Sequence, residues 1–130
     1  LRQKKASDLK NRVNLINSTP EAFLVSIHQN NFSSSKYSGA QVFFSASDPI
    51  GAEIAVYAQE NLRLALDNNN TRQAAVISDS IYLMKNIECG GILVECGFLS
   101  NPNEAEMLQQ AEYQMDIAKA ITATLVQRCF

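Results

Sequence analysis

The run Gly90-Gly91-Ile92-Leu93-Val94-Glu95-Cys96-Gly97-Phe98-Leu99-Ser100-Asn101-Pro102 sets one carboxylate inside an otherwise apolar segment. Ile92 to Cys96, Glu95 apart, have the length and apolar character of a buried strand. A lone carboxylate there costs several kcal/mol unless it is paired, protonated or bound to something. Gly97 follows, and Asn101-Pro102 marks a helix start. A buried strand, a turn and a helix in that order belong to α/β layers. In open sheets of that class the C-terminal ends of the strands hold ligands.

The remaining segments fit the same class. Leu9, Val13 and Ile16, with Leu15 alongside, place a helical stripe in residues 1–18, which Ser18-Thr19-Pro20 ends. Its Arg and Lys residues read as a solvated face, Arg12 excepted. Ala22 to Ile27 reads as a buried strand that His28 closes, and Gln29 to Gly39 as a long polar loop of the kind that lines sites. Gln41 to Ser45 reads as a strand nearer an edge. Asp48-Pro49 opens a helix to about Leu66, with Ile50, Ile54, Tyr57 or Ala58, Leu62, and Ala65 or Leu66 facing inward. Asp67-Asn68-Asn69-Asn70 stops it, the segment from there to Ser80 is ambiguous, and Ile81-Tyr82-Leu83-Met84 reads as a short strand. After Asn101, Glu104 has the spacing of a capping box. A last helix from about Tyr113 carries Met115, Ile117 or Ala118, Ile121, Leu125 and Cys129. The expected architecture is an α/β three-layer sandwich, a mostly parallel mixed sheet flanked by helices.

Composition narrows the function classes. Hydrophobic residues make up 46% of the 130 residues, enough for a core. The net charge is -2, and the 11 basic residues are dispersed, which leaves no footprint for nucleic acid. No apolar run reaches the ~18 residues of a membrane span. The cysteines, Cys89, Cys96 and Cys129, form no CxxC pair, and an extended strand holds Cys89 and Cys96 too far apart for a disulfide. They read as small buried thiols.

His28, the single histidine, ends one expected strand, and Glu95 occupies the matching place on another. In parallel strands of one sheet the two would meet at one edge. A serine triad has no GxSxG elbow to support it, with Ser26 and Ser100 the nearest serines. Cys96 would point to the opposite face from Glu95. A metal hydrolase fits better, with an imidazole ligand and a carboxylate acting on water, although one histidine is too few donors for zinc.

Ser26-Ile27-His28-Gln29-Asn30, Gly39-Ala40-Gln41-Val42-Phe43-Phe44, and Val94 to Pro102 with Glu104-Ala105 resemble the zinc-dependent N-acetylmuramoyl-L-alanine amidases, bacterial cell-wall hydrolases. Asp8-Leu9 with Arg12 is similar to the family's second helix, and Tyr82-Leu83 to the strand before its catalytic one. The resemblance covers essentially the whole chain. It implies hydrolysis of the amide between N-acetylmuramic acid and L-alanine of peptidoglycan. By position, Glu95 would be the catalytic carboxylate, His28 a zinc ligand, Asn30 a site or glycan contact and Arg72 a substrate contact. Arg72 also reads as a surface charge at a helix end.

The family's remaining zinc ligands, a His in a glycine turn and a Glu, would lie N-terminal to Leu1. The resemblance therefore implies the C-terminal portion of an amidase domain, without its first strands and first helix and unable to hold catalytic zinc alone. An open sheet edge would favour a non-native dimer. Peptidoglycan is the implied partner, with an extracytoplasmic location at the cell wall or spore envelope. The match from Gly39 to Phe44 and at the chain's end looks most like the sporulation and germination branch, acting on spore cortex. The alternative is a non-catalytic peptidoglycan- or partner-binding module on the same fold.

Overall fold

A computed structural model describes the backbone of residues 1–129 and the side chains of residues 1–128. The expectation for the Cys129 side chain lies outside the described residues. Four strands form one sheet in the order β1-β4-β2-β3: β1 (Leu24–Asn30), β2 (Gln41–Phe44), β3 (Ala75–Val76) and β4 (Gly91–Phe98). β1 runs parallel to β4 and β2 parallel to β3, while β2 and β4 are antiparallel. The mixed, mostly parallel sheet expected from the sequence is therefore present, and helices flank it.

β4 is interior and almost wholly buried, which is why it reads as a continuous apolar run. Its alternate residues serve two faces. Ile92, Val94 and Cys96 join Val42 in the main core under α2 (Pro49–Leu66) and α5 (Ala111–Cys129), against Ile54, Ala55, Ala58, Leu62, Ile117, Ala120 and Ile121. Leu93 points the other way. It is buried outside that core, as are Val13 of α1 (Arg2–Asn17) and Met84 of α3 (Tyr82–Asn86).

Asp48 ties α2 to the sheet. Its Oδ1 accepts the Gly51 amide as an N-cap, and its Oδ2 accepts the Gly91 amide at the start of β4, both at 2.8 Å. Pro49 follows at the first helical position, as its fixed φ favours. Gln59, buried on α2, pins the entry to β2 by accepting from Val42 N at 2.8 Å and donating to Ala40 O at 3.1 Å.

Several expectations are corrected. Ile81 to Met84 is not a strand, because Tyr82 opens α3 and Met84 is the residue that it buries. A four-residue apolar run cannot separate strand from helix by periodicity, and here Ser78 to Ser80 form the turn that starts the helix. The third strand is instead Ala75–Val76, inside the ambiguous segment. β2 is interior, not near an edge, although β3 covers only Phe43 and Phe44. Ile50, Met115 and Leu15 are exposed, and Ala55, Gln59, Ala120 and Thr124 fill inward positions on α2 and α5. Arg12 joins the solvated face after all, in an exposed pair with Asp8 at 2.9 Å.

Glu104 follows Asn101 at capping-box spacing, but its carboxylate does not return to the Asn101 amide, which donates to Phe98 O. It accepts from Gly39 N at 3.0 Å and Phe98 N at 3.1 Å. The Asn101 side chain caps α4 (Pro102–Met107) by accepting from Asn103 N and Glu104 N. Glu104 thus fastens the 31–40 loop to the end of β4.

Candidate active site

His28 and Glu95 are direct partners in the parallel pairing of β1 and β4, and Gln41 is the partner of Glu95 on the antiparallel side. Residues paired in register share a face, so His28, Glu95 and Gln41 form a row across three neighbouring strands. Neither His28 nor Glu95 ends its strand, since β1 continues to Asn30 and β4 to Phe98. Cys96 lies on the opposite face, in the core, and Cys89 and Cys96 are both free thiols.

Glu95 holds the centre of the row on a buried strand. Its Oε2 is buried and has no hydrogen-bond partner. Burial pushes its carboxyl above the ordinary glutamate range, and the charge of His28 pulls it down by less. A carboxylate in that state is suited to taking up and giving back a proton. His28 is exposed, with Nε2 3.0 Å from Ser26 Oγ. That contact sets a serine and a histidine together, but both lie on a straight strand, and the turn that would expose a nucleophile is not there. Cys96 is a poorer nucleophile still, because burial, and then the neighbouring Glu95 charge, pushes its thiol up to about 11.

Beyond Glu95 the pairing with β1 slips. His28 faces Glu95, yet Asn30 faces Phe98, so β4 carries one extra residue between them. The bulge occurs at Gly97, which has φ +157. Its effect is to turn Phe98 onto the face of Glu95, where strict alternation would have sent it to the core. Phe98 is 5% exposed although it lies outside the main core cluster. Tyr37 and Arg72 cover it, with the Tyr37 ring centroid at 6.2 Å and the Arg72 guanidinium carbon at 4.8 Å from its ring. Asn30, Phe32, Tyr37, Arg72 and Phe98 line a cavity of about 270 Å3. Of the residues singled out in the sequence, the fold therefore brings His28 and Glu95 together and sets Asn30 with Arg72 in the adjoining cavity. Gln41 and Phe98 lie inside the motifs of the resemblance but were given no role there, and Tyr37 had no signal, because their places depend on the antiparallel register and on the bulge.

The donor set falls short of a zinc centre. Among the described residues no three His, Cys, Asp or Glu side chains converge as metal ligands. A catalytic zinc takes three protein ligands, and this row offers one imidazole beside one carboxylate.

Residues 1–127 match the profile of the family described as Amidase_3, N-acetylmuramoyl-L-alanine amidase. The chain belongs to this amidase family. A relative from Bacillus subtilis (strain 168), the germination-specific N-acetylmuramoyl-L-alanine amidase, is 44% identical over 119 residues, which are 92% of this chain and 49% of that protein. A second B. subtilis relative, the N-acetylmuramoyl-L-alanine amidase LytC, is 30% identical over 113 residues, 87% of this chain and 23% of that protein. Among solved structures, the CwlD amidase of Clostridioides difficile, determined in complex with the GerS lipoprotein, superimposes with a TM-score of 0.93 at 38% identity, covering 98% of this chain and 64% of that one. The amidase-family chain thus spans about half the length of the first of these relatives, and its mixed sheet superimposes on part of the CwlD structure.

Proposed function

We propose that this chain supplies the proton-transfer side of a peptidoglycan amidase centre, cleaving the amide between the lactyl group of N-acetylmuramic acid and L-alanine. The observation that carries the reading is the unpartnered, buried Oε2 of Glu95 beside His28 in a chain of the amidase family. In the reaction, water oxygen bonds to the lactyl carbonyl carbon and the carbon–nitrogen bond breaks. Glu95 takes the proton from that water and delivers it to the departing amine nitrogen of L-alanine. Its raised affinity for a proton suits it to hold that proton between the two events.

His28 is proposed as one ligand of the zinc on which such amidases depend, the further donors coming from outside these 130 residues. Calorimetric zinc titration of the 130-residue chain checks this, with no tight one-to-one binding expected. The likeness to the germination-specific relative favours spore-cortex peptidoglycan as substrate and an extracytoplasmic site of action. The incomplete donor set favours, as a second reading, a module that binds peptidoglycan without cutting it.

The deciding experiment is Glu95→Gln in the full-length protein carrying this chain, assayed by release of peptide from purified muropeptides. Cleavage should be abolished while the protein stays folded, with a melting temperature no lower than that of the unaltered protein. Unchanged turnover would remove Glu95 from the chemistry, and binding without cleavage by the unaltered protein would favour the module.

A further inference from the structure

Arg72 is a cation already oriented but without an anion. Its Nε donates to Ser38 O at 2.7 Å and its Nη1 to Gln41 Oε1 at 3.0 Å, and its guanidinium stacks on Phe98. These partners are all neutral. Among the described residues Arg72 makes no salt bridge, and N–H groups on Nη1 and Nη2 are left for a ligand. A guanidinium fixed in this way loses little freedom on binding a carboxylate.

The space in front of it is the 270 Å3 cavity lined by Asn30, Phe32, Tyr37, Arg72 and Phe98. Phe32 and Tyr37 meet edge to face at 4.9 Å, which makes one wall aromatic. A charged hydrogen bond beside such a wall is screened less than one in open water. The cavity also adjoins the His28–Glu95–Gln41 row: Gln41 is in the row and holds Arg72, and Asn30 and Phe98 are the next pair along the strands. Because β1 advances only two residues between the pairs, at ~3.3 Å per strand residue Phe98 lies roughly 7 Å beyond Glu95. An extended peptide covers that distance in about two residues.

On the amidase reading above, we propose that this cavity is a carboxylate subsite for the peptide side of the substrate. Arg72 holds the free carboxylate of the residue that follows L-alanine, and Phe32, Tyr37 and Phe98 keep water from it. Arg72 acts here in binding, not in the proton transfer.

The test compares two glycopeptides, N-acetylmuramoyl-L-alanyl-D-glutamine, with a free α-carboxylate, and its α-amide, in which that carboxylate is an amide and the residue carries no other. Binding is measured by calorimetry in a Glu95→Gln background, so that neither is consumed. The carboxylate form should bind about tenfold more tightly. Arg72→Gln should remove that preference, and Arg72→Lys should keep part of it. Melting temperatures of both variants check the fold, because Arg72 also holds Ser38 and Gln41. Equal binding of the two ligands, or a preference that survives Arg72→Gln, overturns the subsite alone. Failure of both ligands to bind overturns the subsite and the amidase reading together. Discrimination that persists while a protein with Glu95 intact cleaves neither ligand overturns the amidase reading alone.

Discussion

Asn30 and Phe98 face each other across β1 and β4, one position out of step with the pair His28 and Glu95. The extra residue turns an aromatic ring that would otherwise have faced the core onto the face of Glu95 and gives the cavity beside Glu95 its floor. Gly97 carries the bulge. Its φ of +157 suits few side chains, and a Cβ there would come within 3.0 Å of Glu104 Oε2. Gly97→Ala should therefore destabilise the protein by roughly 1–3 kcal/mol, read as a lower denaturant midpoint at unchanged slope.

Glu104 anchors the same corner from outside the sheet. Its carboxylate accepts the amides of Gly39 and Phe98, which are 59 residues apart in the chain. Glu104→Ala leaves both donors without their acceptor and should cost about 2–3 kcal/mol. Glu104→Gln keeps one carbonyl oxygen and should cost less. Chemical denaturation of the two variants checks the order, and equal losses would mean that charge, not acceptor number, holds the loop.

The buried Glu95 carboxyl makes stability depend on pH. Its proton affinity is raised in the folded chain by burial, so above the ordinary glutamate range the folded state binds more protons than the unfolded one. Stability then falls as pH rises from about 4.5 through the folded value. Glu95→Gln should melt above the unaltered protein at pH 7, and the gap should close as pH drops below the ordinary glutamate value. A gap of the same size at both pH values would assign the difference to packing.

Thiol chemistry should divide by position. Cys96 is buried and its thiol is pushed up to about 11, whereas Cys89 is half-buried in a loop. Iodoacetamide at pH 7.5, followed by peptide mass mapping, should modify Cys89 well before Cys96 in the native protein. Denaturant should remove the difference.

Much of this was legible in the sequence because it rested on local chemistry. The apolar run with Glu95 identified β4, Asp48-Pro49 identified the start of α2, and Asn101-Pro102 the start of α4. His28 and Glu95 could be given matching places on two strands because each sat on an apolar run before a polar turn, and the adjacency of those strands came only from the fold. What was not legible depended on partners far along the chain. Ala75–Val76 becomes a strand because β2 offers it an edge, and nothing in two small residues announces that. Glu104 had the spacing of a helix cap, but Gly39 and Phe98 supply better donors for it. Gln41 joins the row with Glu95 through an antiparallel register that no local pattern encodes.

The strand order has a consequence for how the molecule comes into being. β4, last of the strands in the chain, lies between β1 and β2, so those two have no pairing with each other to form early. Until residue 98 is available they expose unpaired edges and apolar faces, and the row of His28, Glu95 and Gln41 does not exist. Such closure over long sequence separation is slow, and the waiting strands are prone to associate with one another between molecules. The same insertion that buries the glutamate thus makes the interval before β4 docks the most vulnerable in the life of the chain.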